Sequence, residues 1–509
     1  MKTEAHWGKV GFYAHHGILL PLSALRTKNS CGIGEFLDLI PMIDWCASLG
    51  LDVLQLLPIN DRGEDPSPYN ILSSCALDPI YLSLTALPEA APDSEIFSPL
   101  TQSPRIAHQT VRREKLNFLK LYCEKHPRKQ DVEQFIHQHP WAQTYALFKV
   151  YKEAYENRVW EEWPVEAREP TQSALEKMRE QVEFYCYLQL LSFEQMQRVK
   201  NHAARKNVFL MGDIPILPSR DSADVWMKRP LFDLQLDAGS PPDFYNATGQ
   251  HWGFPLYRWE ALKKEHFAWW KQRLHVAEGF FDLYRIDHVV GFFRIWGIPR
   301  DKKNPTEGHF VPSDPTLWPI QGREILEMMI NASTMLPLAE DLGTIPDFVR
   351  PILKELGICK TNVIRWQRHW HGEHKYIPFD QYEPLSITTL STHDSEPVPL
   401  WWKNCPEEAM AFAHFKHWHY QPELSYDQHL EMLRDAHHTP SYFHINLLQE
   451  ILLLFPELSW PNLEEERINI PGALLPTNWT YRFRPYVEEI VESQGLRDVF
   501  KYKILGSAH

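Results

Sequence analysis

Apolar and β-branched residues gather along this chain in short runs: 17–22 (GILLPL), 53–59 (VLQLLPI), 208–216 (VFLMGDIPI), 281–288 (FDLYRIDH), 335–343 (MLPLAEDLG), 361–366 (TNVIRW) and 385–394 (LSITTLSTHD). Such runs read as strands buried on both faces, the condition of a parallel sheet. Between them the spacing turns helical, as in 35–49, where Phe36, Leu39, Ile40 and Ile43 share a face, and in 325–330 and 347–356. Strands alternating with helices predict a parallel β/α barrel. Three stretches break the alternation. Residues 92–204 lose the strand runs and carry charged helices, such as 111–125 with Leu116 and Leu119 and 180–199 with Phe184, Leu188 and Leu191, which predicts a helical insertion between the second and third barrel strands. Residues 397–456 read as a second helical insertion, and 240–258 as a long loop.

Four of the predicted strands carry a carboxylate at the C-terminal end: Asp213, Asp287, Glu340 and Asp394. Barrel enzymes hold their chemistry there. One strand-end Asp is more often the cap of the next helix, but four with the same polarity point to convergence on one site. Paired carboxylates suit cleavage of a glycosidic bond, where one acts ionised at the anomeric carbon and the other, protonated, releases the leaving oxygen. Arg285 stands two residues before Asp287, on the same strand face, where its charge favours ionised Asp287 over a merely structural pair. Glu340 ends an apolar run, and burial there raises a carboxyl pKa toward the protonated form.

Composition narrows the partners. A formal charge of −14 over 509 residues argues against nucleic acid and against a basic membrane-surface patch. Nineteen tryptophans offer flat apolar faces suited to sugars, although about half are expected in the core. Seven scattered cysteines without a Cys-x-x-Cys pair read as free thiols of a reducing compartment. The first ten residues lack a signal-peptide core, and 445–455 is too short to span a bilayer, so a cytoplasmic protein is expected.

Several phrases together, GDIPI at 212–216, DSADVW at 221–226, PPDFYNATGQHWG at 241–253, YRIDH at 284–288, AEDLG at 339–343 and THD at 392–394, resemble the 4-α-glucanotransferases, or amylomaltases. The likeness extends to CGIGEF at 31–36, SPYN at 67–70, INIPG at 468–472 and NWTYR at 478–482, and so covers most of the chain. It implies one catalytic (β/α)8 TIM barrel over 1–509, with helical and loop insertions at the C-terminal face and 240–258 covering the active site. It further implies Asp287 as nucleophile, Glu340 as acid/base and Asp394 as transition-state stabiliser. Substrate contacts are implied for Ser67, Tyr69, Asp213, Asp243, Gln250, Trp252, Arg285, His288, Asp341 and His393. Partners would be maltooligosaccharides and glycogen- or starch-like α-glucans, with no cofactor and no metal.

Departures from the family pattern are Ser391 in place of the usual Gly before THD, Ser395 in place of the Asn after it, and Phe254 in place of the Asn after WG. No carboxylate is lost. The histidines 369, 371 and 374, and 414, 417 and 419, lack zinc-site spacing and read as loop residues. Gly32 and Gly34 lack the third glycine of a dinucleotide fingerprint. Two alternatives stand beside transfer: an α-glucan hydrolase of the same superfamily, and a glycogen-binding protein with a dead site.

Overall fold

The computed structural model describes residues 1–242, 248–302, 304–369 and 374–506. Among these residues twelve strands run in chain order as β1 (His15–Leu20), β2 (Val53–Leu56), β3 (Phe209–Ile214), β4 (Phe232–Ser240), β5 (Gln250–Tyr257), β6 (Leu283–Ile286), β7 (Ile295–Pro299), β8 (His309–Val311), β9 (Leu336–Ala339), β10 (Lys360–Val363), β11 (Ser386–Thr389) and β12 (Phe443–Leu447). Eight of them form one parallel sheet in the order β10-β11-β12-β1-β2-β3-β6-β9. Its edges meet where the Ala339 amide donates to the Cys359 carbonyl at 2.8 Å and the Thr361 hydroxyl donates to the Ala339 carbonyl at 2.9 Å. The sheet is thus nearly closed into a barrel.

Burial explains the strands. β2, β9, β11 and β12 are buried at every residue, as strands sandwiched between a barrel interior and outer helices must be. The interior is packed by Val53, Met211, Leu283, Leu336, Leu338 and Phe443, among others. It is stoppered at the N-terminal end by the helix Glu4–Val10, whose Trp7 packs on Phe443 at 5.8 Å between ring centres and donates its indole N–H to the Gly357 carbonyl.

The eighth strand corrects the sequence reading. Residues 397–456 are not helical throughout, because β12 lies inside them and pairs with both β11 and β1. Its FHINL passes directly into the helix Leu448–Leu452 with no turn residue between, so the apolar run looks continuous. A second, four-stranded antiparallel sheet, β5-β4-β7-β8, was also not anticipated. Within the segment read as the covering loop, Gln250–Tyr257 is strand β5; residues 243–247 lie outside the described residues.

Between β2 and β3 stand the helices Ser94–Gln102, His108–Lys125, Lys129–Gln138, Trp141–Ala154 and Arg179–Arg205. They grip the long loop that follows β2. Asp61 of that loop is fully buried, with Lys149 at 2.9 Å, Arg112 at 3.5 Å and the Tyr145 hydroxyl at 2.6 Å. Burial alone would favour its protonated form, but those cations hold its pKa below the usual carboxylate value. Gln189 and Gln195 of the long helix meet both the amide and the carbonyl of Leu77 and Ser83, as a neighbouring strand would. Between these anchors the same loop carries Ser67 and Tyr69.

Candidate active site

Strand register decides what meets at the C-terminal face. Asp213 on β3 lies opposite Arg285 on β6, and the last pair between β6 and β9 is Ile286 with Ala339. Asp287 and Glu340 therefore leave adjacent strands at the same level, with Arg285 one step below Ile286. Its guanidinium Nη1 lies 2.8 Å and 2.9 Å from the two Asp213 oxygens and 3.1 Å from Asp287 Oδ1, while Nη2 is 3.7 Å from Glu340 Oε2. The Tyr69 hydroxyl donates to Asp213 at 2.8 Å. One cation faces three mostly buried carboxylates. A site so unbalanced favours retaining a proton on one of them.

Burial raises the pKa of Asp213 and of Glu340 alike, and Arg285 opposes it at both. Glu340, to which Asp287 adds its own repulsion, is pushed up to about 7. Its oxygens accept from the backbone amides of His288, at 2.8 Å, and Leu342, at 3.0 Å, which fix its direction. His288 itself has φ +45°, a left-handed conformation costing roughly 1–3 kcal/mol in a residue with a Cβ. The His288 ring is half-buried, and the desolvation it meets there lowers its pKa to about 4, so it faces the site as a neutral donor or acceptor.

Asp394 reaches the cluster from beyond β11. Its side chain is 44% exposed, so the desolvation it meets is outweighed by His393, 3.4 Å away, and the Asn469 amide, donating at 2.7 Å, which hold its pKa down at about 2. His393 is stacked on Tyr69 with centroids 5.2 Å apart, and Trp479 leans on both at 5.7 Å. Three rings thus make one wall of the cleft. On another side, the Trp252 indole donates to Gln250 at 3.0 Å and meets the His288 ring edge-on at 4.9 Å. Ser67 accepts from the Tyr69 amide at 3.3 Å, closing the turn that presents Tyr69.

Of the residues expected from sequence, Asp213, Arg285, Asp287, His288 and Glu340 come together with Tyr69, and His393, Asp394, Gln250 and Trp252 surround them. Asp243 lies outside the described residues. Asp341, expected at the substrate, is fully buried, and its oxygens accept from the Thr361 amide and the Arg350 side chain, each at 2.8 Å. It braces the seam between β9 and β10. Asn469 and Trp479 were assigned no part from sequence, although the phrases INIPG and NWTYR contain them. Phe254 lines a groove of about 340 Å³ beside the site, with Asp65, Asn70, Trp160, Arg220 and Trp252. Among the described residues, no group of three His, Cys, Asp or Glu is placed to hold a metal, and no helix is long and apolar enough to cross a membrane.

The sequence profile described as 4-alpha-glucanotransferase matches residues 20–488. The chain belongs to that family. It is 44% identical over 501 residues to the 4-alpha-glucanotransferase of Chlamydia muridarum, covering 95% of this chain and 94% of that one, and 42% identical over 502 residues to that of Chlamydia pneumoniae, covering 96% and 95%. Its fold is similar to that of the amylomaltase from Streptococcus agalactiae in complex with acarbose, with TM-score 0.82, 22% identity and coverage of 97% of this chain and 100% of that one. Members of the family are glycosyl-transferring enzymes, and this chain is one.

Proposed function

We propose that the enzyme moves an α-1,4-glucan segment from a maltooligosaccharide or starch-like donor to the 4-hydroxyl of an acceptor sugar, with retention, through a covalent glycosyl-enzyme. The observation that carries this reading is the division of labour around Arg285: it clasps Asp213 and Asp287, while Glu340, at the edge of its reach, keeps a proton to about pH 7. In the first displacement, Asp287 Oδ attacks the anomeric carbon as the glycosidic C–O bond breaks, and the Glu340 proton passes to the departing 4-oxygen. In the second, Glu340 as carboxylate takes the proton of an acceptor 4-hydroxyl, whose oxygen attacks the same carbon and expels Asp287. Asp394 stands as a fixed anion where the sugar ring becomes positive. The wall of Tyr69, His393 and Trp479 and the edge formed by Gln250 and Trp252 supply ring faces and polar tips for glucose units.

Incubation with maltotriose tests transfer directly. A ladder of shorter and longer maltooligosaccharides is expected, with the total of reducing ends nearly constant. A rise in reducing ends that matches substrate loss would make the enzyme a hydrolase.

The pH dependence follows from Glu340. Its acid form is lost as pH rises through about 7, so kcat/KM for maltotriose is expected to fall on the alkaline side, about tenfold per unit well above that point. An α-glucosyl fluoride donor, whose leaving group needs little protonation, is expected to lack this alkaline limb in the glycosylation step. A limb of equal size with both donors would remove Glu340 from the acid role.

A further inference from the structure

The loop after β11 carries His393 and Asp394, yet what fastens it comes from much later in the chain. Ser391 on one flank and Val398 on the other meet the same side chain, Glu450 of the helix Leu448–Leu452. The Ser391 hydroxyl donates to Glu450 Oε1, and the Val398 amide lies 3.0 Å from Oε1 and 3.2 Å from Oε2. Asn446, four residues earlier on β12, accepts from the Leu390 amide at 2.8 Å. Within the loop, Ser395 Oγ accepts from the Thr392 amide at 2.9 Å and donates to the Thr392 carbonyl at 3.1 Å, so the turn holds its own shape between the two ends. Glu450 is fully buried, and Arg365, buried and resting against the rings of Trp366 and Trp401, lies in its field. The departure at position 391 thus supplies one of the two fastenings: a glycine there would have no hydroxyl to give.

We propose that Glu450 is a positioning residue, which pins both ends of the 391–398 loop to the β12 side of the barrel and so sets where Asp394 and His393 stand over the sugar. This rests on the reading of Asp394 as the fixed anion of the site. A carboxylate accepts from both loop ends at once; glutamine could still hold both, its oxygen accepting from the Val398 amide while its NH2 donates to the Ser391 hydroxyl oxygen. Leucine keeps much of the volume and removes both fastenings. A loop free to shift by about 1 Å loses on the order of 10²-fold in rate when the displaced group acts in the transition state.

A double-mutant cycle in the full-length enzyme tests this. Glu450→Leu and Ser391→Ala are made alone and each together with Asp394→Asn, and kcat and KM are measured with maltotriose and with α-glucosyl fluoride beside the melting temperature. Glu450→Leu is expected to lower kcat by about 10- to 100-fold with KM changed less than about 2-fold, and Ser391→Ala to do the same by a smaller factor. In the Asp394→Asn background either change is expected to leave the residual rate within about 2-fold, because the group they aim is gone. Losses that multiply in that background, or a folded Glu450→Leu enzyme with full kcat, overturn the proposal. A fully active Asp394→Asn enzyme overturns instead the reading on which it rests. If Glu450→Leu does not fold, Ser391→Ala carries the same cycle, and a full kcat for it is then the overturning result.

Discussion

A Glu340→Gln enzyme incubated with α-glucosyl fluoride is expected to accumulate a glucosyl ester on Asp287, while an Asp287→Asn enzyme is expected to form none. The difference lies in which bond each carboxylate handles. Fluoride leaves with little help from an acid, so glycosylation proceeds without the Glu340 proton, but the ester then waits for an acceptor that no base activates. Turnover of maltotriose by Glu340→Gln is expected to fall by at least about 10²–10⁴-fold, the usual contribution of general acid–base catalysis. Asp287→Asn replaces an anionic nucleophile by a neutral amide and is expected to lose at least as much. Its fold should persist, since Arg285 keeps its contacts with Asp213. Asp394→Asn is expected to lose about 10²–10³-fold without trapping any ester, as befits loss of a fixed charge facing the transition state. Intact-protein mass spectrometry followed by peptide mapping reads all three. An adduct on another residue, or a fully active Glu340→Gln enzyme, would overturn the assignment.

The second large effect is on stability and arises far from the carboxylates. His16 on β1 and His444 on β12 are register partners with rings stacked 4.8 Å apart, and His437, which ends the helix Tyr426–His437, meets His16 Nδ1 to Nδ1 at 3.1 Å. The Asn446 amide faces His437 Nε2 at 3.1 Å, and the edge of Phe500 closes the cluster. If Asn446 donates, His437 Nδ1–H must donate to a neutral His16, so a proton on His16 Nδ1 has no place. Burial first, and the neighbouring imidazoles next, lower the His16 pKa to about 3, and His437 is likewise held well below its ordinary value. The sign follows from linkage: as pH falls below about 6.5 the unfolded chain binds protons that the folded chain refuses until about 3, so this part of the stability is present above that window and lost through it.

Buried Glu340 and Glu466, each near 7, act the other way over the same range, because their folded forms gain protons before the unfolded chain does. The clean measurement is therefore a difference. His16→Gln is expected to cost about 1–2 kcal/mol at pH 7.5 through the lost hydrogen bond and stacking. That cost is expected to shrink by about 1.4 kcal/mol for each pH unit below about 6.5, so that the variant becomes the more stable protein near pH 5. Urea unfolding midpoints of the two proteins at half-unit steps check this. A cost that is independent of pH would mean that His16 is protonated as readily in the fold as outside it.

How much of this was legible before any coordinates depends on whether a residue's neighbours lie on its own strand. Asp213, Asp287, Glu340 and Asp394 announced themselves because a strand buried on both faces must be apolar, and a carboxylate at its end stands out against that background. Seven barrel strands were visible for the same reason. The eighth was hidden, since FHINL runs straight into LQEIL and nothing in the local pattern marks where period two becomes period 3.6. Asp341 was misplaced by proximity to Glu340: successive side chains at a strand end point to opposite sides, so the neighbour of a residue facing the cleft turns away from it. Asn469 and Trp479 arrive from beyond the last barrel strand, where no periodicity links them to the cleft.

The chain alone therefore determined the barrel, the direction of its strands and the carboxylates at their C-terminal ends, because those follow from local burial and from short strands with fixed direction. The tertiary structure decided how far the Glu340 pKa rises, because that depends on how far Arg285 sits from its oxygens and on how much water the fold removes from them. It also decided that Ser391 and Val398 share one carboxylate on a distant helix, and that three histidines from two strands and a helix have room only as neutral rings. Charge state and aim are properties of distances between segments far apart in sequence, and the order of residues along a chain does not contain those distances.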